Sequence, residues 1–302
     1  MTYDLTDVNV LKNLLSRHGF TFSKALGQNF ITDPAVCPKM AELSGITGDD
    51  CAIEIGPGVG VLTTELAKRA KKVVSIELDR RLLPVLARTL EEYRNAEVVC
   101  ADVLKTDLRE LVKEHFAPGD RVFVCANLPY YVTSPILMHL LESGVPFAGL
   151  TLMVQKEAGQ RLTAPIGSRD AGAVTYAVQY YAESRMLFEV GRSSYTPAPQ
   201  VDSCVVQLTP RDKPPVEVAD EAFFFRTVKA AFSQRRKTAA NGLSSGLGLP
   251  KDKVAEALVA AGLSPSVRAE ALTMEEMAGL ADKLRGKGPE ARGQGPGNGP
   301  AD

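Results

Sequence analysis

The chain has 302 residues, 45% hydrophobic and 24% charged, and 35 Lys+Arg against 36 Asp+Glu leave a net charge of −1. At ~150 residues per domain that length suggests roughly two domains, and the composition excludes global disorder, collagen-like and coiled-coil chains. No stretch approaches the ~20 apolar residues needed to span a bilayer, and residues 1–7 lack the basic start of a secretory signal. A cytoplasmic location is therefore expected. Cys37, Cys51, Cys100, Cys125 and Cys204 form no Cys-x-x-Cys pair, and the three histidines have no ligand spacing. Neither a disulfide framework nor a metal site is expected.

Leu11, Leu14 and Leu15 recur at helical spacing and stop before Gly19, which predicts a helix over 7–18. Asp33-Pro34 reads as the N-cap and first turn of a second helix. From residue 51 the pattern is regular: strands at 51–55, 72–76, 96–100 and 121–126 alternate with helices at 61–70, 79–92 and 107–115. A helix at 134–142 and a strand at 150–154 continue it. Such alternation predicts an α/β fold, a doubly wound, mostly parallel Rossmann-like sheet with helices on both faces. Segments 186–190 and 203–208 lack long intervening helices and suit an antiparallel pair at the sheet edge. Pro210 to Pro215 is a linker. A smaller all-helical domain over 216–285 follows, with helices at 219–242, 251–261 and 274–284, and Thr273 with Glu276 forms a capping box for the last. The Gly/Pro-rich residues 286–302 read as a disordered tail.

Glu54-Ile-Gly56-Pro-Gly58-Val-Gly60 sits between the first regular strand and its helix. Glycines there allow a tight turn and close ligand approach. The dinucleotide fingerprint Gly-x-Gly-x-x-Gly would need glycine where Val61 stands, and Pro57 removes an amide that a pyrophosphate would want. Glu77, at the next strand end, can accept two hydrogen bonds from a ribose diol. Asp102, after the third strand, can accept from an adenine amine. Together they point to a nucleoside cofactor, and the spacing favours S-adenosylmethionine over a nicotinamide dinucleotide.

Asn127-Leu128-Pro129-Tyr130 follows the fourth strand. An exocyclic aromatic amine is a poor nucleophile because its lone pair is delocalised. Hydrogen-bond acceptance by the Asn127 side chain and by a backbone carbonyl near Leu128 or Pro129 would localise that pair, increasingly so in the transition state. Tyr130 offers a face for stacking an extruded base. Cys125 reads as a buried core thiol rather than a nucleophile. In the C-terminal domain Arg226, Lys229, Arg235, Arg236 and Lys237 form a cationic cluster without an acid, while Phe224, Val228, Ala231 and Phe232 lie on another side at helical spacing. That pattern suits a helix packed on one face and open to phosphates on the other.

These motifs, with Gly27-Gln-Asn-Phe30, Val154-Gln-Lys-Glu157, Tyr195-Thr-Pro-Ala-Pro-Gln-Val-Asp-Ser203 and Ala231-Phe-Ser-Gln-Arg-Arg-Lys237, resemble the ribosomal RNA adenine dimethyltransferase family over residues 20–285. The resemblance implies an S-adenosylmethionine-dependent methyltransferase domain over 1–210, including an N-terminal helical extension, and an RNA-binding domain over 216–285. It implies that Asn29, Ile31 and Gly56 meet the cofactor's methionine end, that Glu77 meets its ribose and Asp102 its adenine. Asn127 would lie between cofactor and target amine. Tyr195 occupies the place of a second stacking aromatic that is usually phenylalanine, which leaves its hydroxyl without an assigned role. The substrate so implied is a pair of adjacent adenosines near the 3′ end of small-subunit ribosomal RNA, each methylated twice at N6. The expected setting is a monomer acting on a small-subunit precursor, with no membrane partner. A macrolide-resistance branch acting on large-subunit RNA, a non-catalytic ribosome-assembly factor and a dehydrogenase are the alternatives.

Overall fold

The computed structural model describes residues 3–20, 28–234 and 237–285. They form two compact units. One runs to Ala164 and resumes over Ala177–Pro214; the other takes Pro165–Tyr176 and the described chain from Pro215 onward. The chain opens with α1 (Val8–Arg17), β1 (Phe30–Ile31) and α2 (Val36–Leu43). The regular alternation is β2 (Cys51–Ile55), α3 (Val61–Ala67), β3 (Lys72–Glu77), α4 (Leu83–Thr89), β4 (Ala96–Cys100), α5 (Leu108–His115) and β5 (Val122–Asn127). Next come α6 (Thr133–Glu142), β6 (Gly149–Gln155), α7 (Lys156–Leu162) and α8 (Ala173–Tyr181). The unit closes with β7 (Ala182–Val190), β8 (Tyr195–Thr196) and β9 (Ser203–Pro210).

Seven strands make one sheet in the order β4-β3-β2-β5-β6-β9-β7, parallel from β4 to β6, with β9 antiparallel to both neighbours. Strand β2 is buried at every position, as expected of a parallel strand covered on both faces. Met40 of α2 and Leu62 and Leu66 of α3 share a core cluster with Ala52, Val73 and Cys125 of the sheet. Each buried side chain of that size contributes about 2 kcal/mol. From β2 the chain steps outward through β3 to β4, then crosses back to β5 on the other side of β2. The strand order reverses there, and a crevice opens beyond the carboxyl ends of the strands.

Several boundaries differ from the sequence reading. The helix expected over 79–92 is a 3-10 turn, Arg80–Leu82, followed by α4 with Pro84 in its first turn, where a missing N–H costs nothing. The helix expected after Asp33-Pro34 starts at Val36, and Asp33 instead accepts from the Ala35 N–H at 3.0 Å. Helices α7 and α8 were not anticipated.

The second unit contains α9 (Glu221–Ala231), α10 (Ala239–Leu247), α11 (Lys251–Ala260) and α12 (Met274–Arg285). The continuous helix expected over 219–242 is therefore two. Helix α10 folds back on α9 so closely that a Cβ on Gly242 would lie 2.5 Å from the Ala230 carbonyl oxygen, which no uninterrupted helix could achieve. The capping box is formed: the Glu276 N–H donates to Thr273 Oγ1 at 3.1 Å and the Thr273 N–H to Glu276 Oε2 at 2.8 Å. Segment Pro165–Tyr176, expected within the first domain, belongs to this unit. Fully buried Tyr176 ties it there, its hydroxyl donating to the Leu272 carbonyl and its ring packing 5.4 Å from Phe232.

Candidate active site

The carboxyl ends of β2, β3, β4 and β5 carry the glycine turn, Glu77, Asp102 and the Asn127–Tyr130 loop respectively. One cavity of about 340 Å³ lies among them, and Asn29, Ile31, Gly56, Glu77, Asp102, Asn127, Tyr130 and Tyr195 all line it. Strands β1 and β8 pair antiparallel with Ile31 opposite Tyr195, so the segment bearing Asn29 and Ile31 also positions the second aromatic. Phe30 lies over the glycine turn. A Cβ on Gly58 would sit 3.2 Å from the Phe30 ring at a φ of +61°, so both space and backbone favour glycine.

The three glycine N–H groups of that turn are already used within the protein. Gly56 N–H reaches the Ile76 carbonyl at 3.0 Å, Gly60 N–H the Pro57 carbonyl at 2.9 Å, and Gly58 N–H the Glu77 carboxylate at 3.3 Å. Pro57 has no N–H to give. A pyrophosphate is cradled by several such amides, and neither these three glycines nor Pro57 offers one, so at these positions the turn shapes a cavity wall.

Glu77 is buried, with Oε2 accepting from Gly58 and Oε1 accepting from the Asp79 N–H at 2.7 Å. A carboxylate has about four lone-pair sites, so one on each oxygen is left, the number a ribose diol requires. Burial raises the Glu77 pKa, while its hydrogen bonds oppose the rise. Neighbouring Asp79 is occupied by Arg81 at 2.6 Å and by Gln28 Nε2 at 2.8 Å, and Arg81 lowers its pKa. Asp102 does two things. Its Oδ1 caps a short 3-10 turn through the Leu104 N–H at 3.1 Å, and its Oδ2 lies 3.5 Å from Lys105 Nζ. Glu54, buried beneath the cavity, accepts from Thr63 Oγ1 at 2.5 Å and Ser75 Oγ at 2.8 Å on one oxygen. Burial pushes its pKa up to about 7 despite those bonds.

On the other side of the cavity the Asn127 carboxamide has no hydrogen-bond partner among the described residues. The two candidate carbonyls beside it differ. Pro129 O accepts from the Val132 N–H at 3.1 Å and from Thr133 Oγ1 at 3.2 Å, which takes both of its lone pairs. Leu128 O accepts from no backbone N–H among the described residues. The geometry therefore selects Asn127 Oδ1 and Leu128 O as the pair open to an amine. Tyr130 and Tyr195 both reach Ser203 Oγ, at 2.6 and 2.9 Å. Cys125 is fully buried and its thiol is pushed up to about 12 by burial, so it is no nucleophile.

Sequence reasoning passed over Leu78 and Tyr131, which also line the cavity and are 53% and 62% exposed at its mouth. Each is simply the neighbour of a residue singled out on chemical grounds, and no periodicity marks it. It also passed over Ser203 as a partner of the two tyrosines. In the second unit Arg226 and Lys229 are exposed on α9, Arg226 lying 5.2 Å from the Phe223 ring, while Phe224, Val228 and Ala231 are buried. Lys237 is exposed. Arg235, Arg236 and Gly27 lie outside the described residues, as does the tail expected over 286–302.

Residues 19–285 match the family described as ribosomal RNA adenine dimethylase. The chain is 47% identical over 287 residues to ribosomal RNA small subunit methyltransferase A of Streptococcus pneumoniae, covering 94% of this chain and 99% of that protein. The protein of that name from Geobacillus thermodenitrificans is 48% identical, covering 94% and 98%. Among solved structures, a dimethyladenosine transferase from Plasmodium falciparum aligns with a TM-score of 0.69 at 26% identity over 85% of this chain and 98% of that one. The 23S rRNA methyltransferase ErmE aligns with a TM-score of 0.62 at 28% identity over 85% and 100%.

Proposed function

The chain belongs to the ribosomal RNA adenine dimethylase family, and on that premise we propose how its cavity transfers methyl groups to the N6 atoms of two adjacent adenosines near the 3′ end of small-subunit ribosomal RNA. The enzyme is an S-adenosylmethionine-dependent ribosomal RNA methyltransferase. Its cavity suits that cofactor: a buried carboxylate keeps two acceptor sites for a diol, and a Cβ on Gly56 would meet nothing within 4 Å. When bound, the cofactor supplies a methyl group on a sulfonium, a good leaving group.

The chain's own residues do the rest. Glu77 would hold the ribose hydroxyls, and Asp102 would accept from the adenine amine with Oδ2, the oxygen its cap does not use. Asn29, Ile31 and Gly56 enclose the methionine end. Tyr130 and Tyr195 provide faces for the extruded target base. Asn127 Oδ1 and Leu128 O each accept one N–H of the target amine, which withdraws its lone pair from the ring and directs it at the methyl group. Receipt of the methyl group would place positive charge on the nitrogen, which both acceptors would bind more strongly. The proton then leaves to water, so no strong base is required. Alignment of the reacting atoms contributes the other large share of the acceleration.

The observation that carries this reading is the free pair, Asn127 Oδ1 and Leu128 O, beside a carbonyl whose lone pairs are spent. We take the enzyme to act as a monomer. Arg226, Lys229, Arg235, Arg236 and Lys237 are the cations we assign to RNA phosphates, in a helical RNA-binding domain over 216–285. The enzyme would act in the cytoplasm on a small-subunit precursor. Labelled S-adenosylmethionine, incubated with undermethylated small and large subunits, tests the assignment. Label in two adjacent small-subunit adenosines is expected; label only in large-subunit RNA, or in neither, overturns it.

A further inference from the structure

Two aromatic residues on the target side of the cavity end on a single buried atom. Ser203 is the first residue of β9 and fully buried, held in register between Gln155 of β6 and Val190 of β7. Its Oγ lies 2.6 Å from the Tyr130 hydroxyl, in a bond either partner can donate, and it accepts from the Tyr195 hydroxyl at 2.9 Å. The Tyr195 oxygen is also 3.1 Å from Met153 Sδ, a weaker acceptor. Burial holds the Tyr195 phenol well above its ordinary range, so it remains protonated and able to donate.

The three residues come from elements of unequal rigidity. Tyr130 lies in the loop after β5 and Tyr195 in a two-residue strand, whereas Ser203 is fixed inside the seven-stranded sheet with a strand on either side. The Tyr130 ring is half-buried and can pivot about its Cα–Cβ bond, whereas Tyr195 is buried in the core cluster with Met153 and Val205. Tethering both phenolic oxygens to one atom in the sheet removes that freedom and fixes the wedge between the ring faces. A phenylalanine at position 195 would stack equally well but could not be tethered.

We propose that Ser203 is a positioning residue for methyl transfer, using the Tyr195 hydroxyl to lock the two stacking rings at the spacing a target base needs. This rests on the methyltransferase reading above. It gives the Tyr195 hydroxyl a task separate from the stacking of its ring. Because rings that gape misplace the amine relative to the methyl group, the loss should fall on turnover and not on cofactor binding.

Tyr195→Phe, Ser203→Ala and the double variant test this. Each is assayed for kcat and KM on undermethylated small subunits, for S-adenosylmethionine affinity by calorimetry and for Tm. Since a displacement of about 1 Å can cost up to ~10²-fold in rate, Tyr195→Phe should lower kcat roughly 5- to 50-fold. Cofactor Kd should stay within about twofold, and the double variant should be no slower than Ser203→Ala, because that change already removes both hydroxyl contacts, the one to Tyr195 included. Unchanged kcat in Tyr195→Phe overturns the proposal, even if Tm falls. So does a parallel loss of cofactor affinity, or a double variant whose loss is the product of the two singles. Should Ser203→Ala fail to fold, Tyr195→Phe, which removes only a hydroxyl, decides the matter. A wild-type protein that methylates no ribosomal RNA would count against the function itself and not against this tether.

Discussion

Two loops leave adjacent strands of one sheet and face one cavity, yet they treat their backbone polar groups in opposite ways. The glycine turn after β2 spends the Gly56, Gly58 and Gly60 N–H groups on protein acceptors. The loop after β5 leaves the Asn127 carboxamide and the Leu128 carbonyl open, while Pro129 O is doubly occupied. The first loop provides a surface and relies on side-chain carboxylates for recognition. The second leaves two acceptors open, which on the proposed mechanism receive a group that becomes cationic only during reaction. On that proposal, binding and chemistry are separated by which backbone groups the fold leaves unsatisfied, and substitutions in the two loops should fail in different ways.

The sharpest break between the two is Asn127→Ala. Losing one acceptor of developing charge typically costs ~10²–10³ in kcat, and at least that loss is expected, with cofactor Kd from calorimetry changed less than about threefold. Glu77→Ala should do the reverse. Removal of a buried acceptor pair costs about 1.5–3 kcal/mol, so cofactor Kd should rise roughly 10- to 100-fold while kcat at saturating cofactor stays within a few fold.

Glu54 sharpens the comparison through pH. Its folded pKa of about 7 lies above the ordinary 4.5. Its neutral form is therefore favoured by folding, and that contribution is complete below pH 4.5 and lost as pH rises through 7. Glu54→Gln should accordingly gain Tm over wild type on going from pH 5 to pH 8, as followed by calorimetry; a constant difference would show that Glu54 ionises freely. The smallest effect belongs to the helical unit. Reversal of both Arg226 and Lys229 to Glu should raise KM for the RNA substrate about 3- to 10-fold and flatten its salt dependence, with kcat unchanged.

The strand ends were legible because each chemical residue falls where an apolar run stops: Gly56 after Ile55, Asp102 after Cys100, and Asn127 as the last residue of β5. What was not legible depends on tertiary contact. Helix α8, with Val174, Thr175, Tyr176, Val178 and Tyr180, is composed of strand formers. It is buried at Thr175 through Val178 and at Tyr180, so no one-sided periodicity announces it. The break between α9 and α10 follows from a close approach at Gly242 that spacing does not encode. Asp102 reads in the sequence as a base acceptor, and only the fold shows that one of its oxygens caps a 3-10 turn. The choice between Leu128 O and Pro129 O needed the position of Thr133, and the link from Tyr195 to Ser203 needed the packing of β9 beside β6.

The most direct measurement is the structure of the protein with S-adenosylhomocysteine and a short RNA whose target adenosine is in place. The account predicts the N6 amine within about 3 Å of both Asn127 Oδ1 and Leu128 O, with the sulfur in line beyond it. An amine bonded to Pro129 O or to water, or an Asn127 carboxamide rotated out of the cavity, would contradict it.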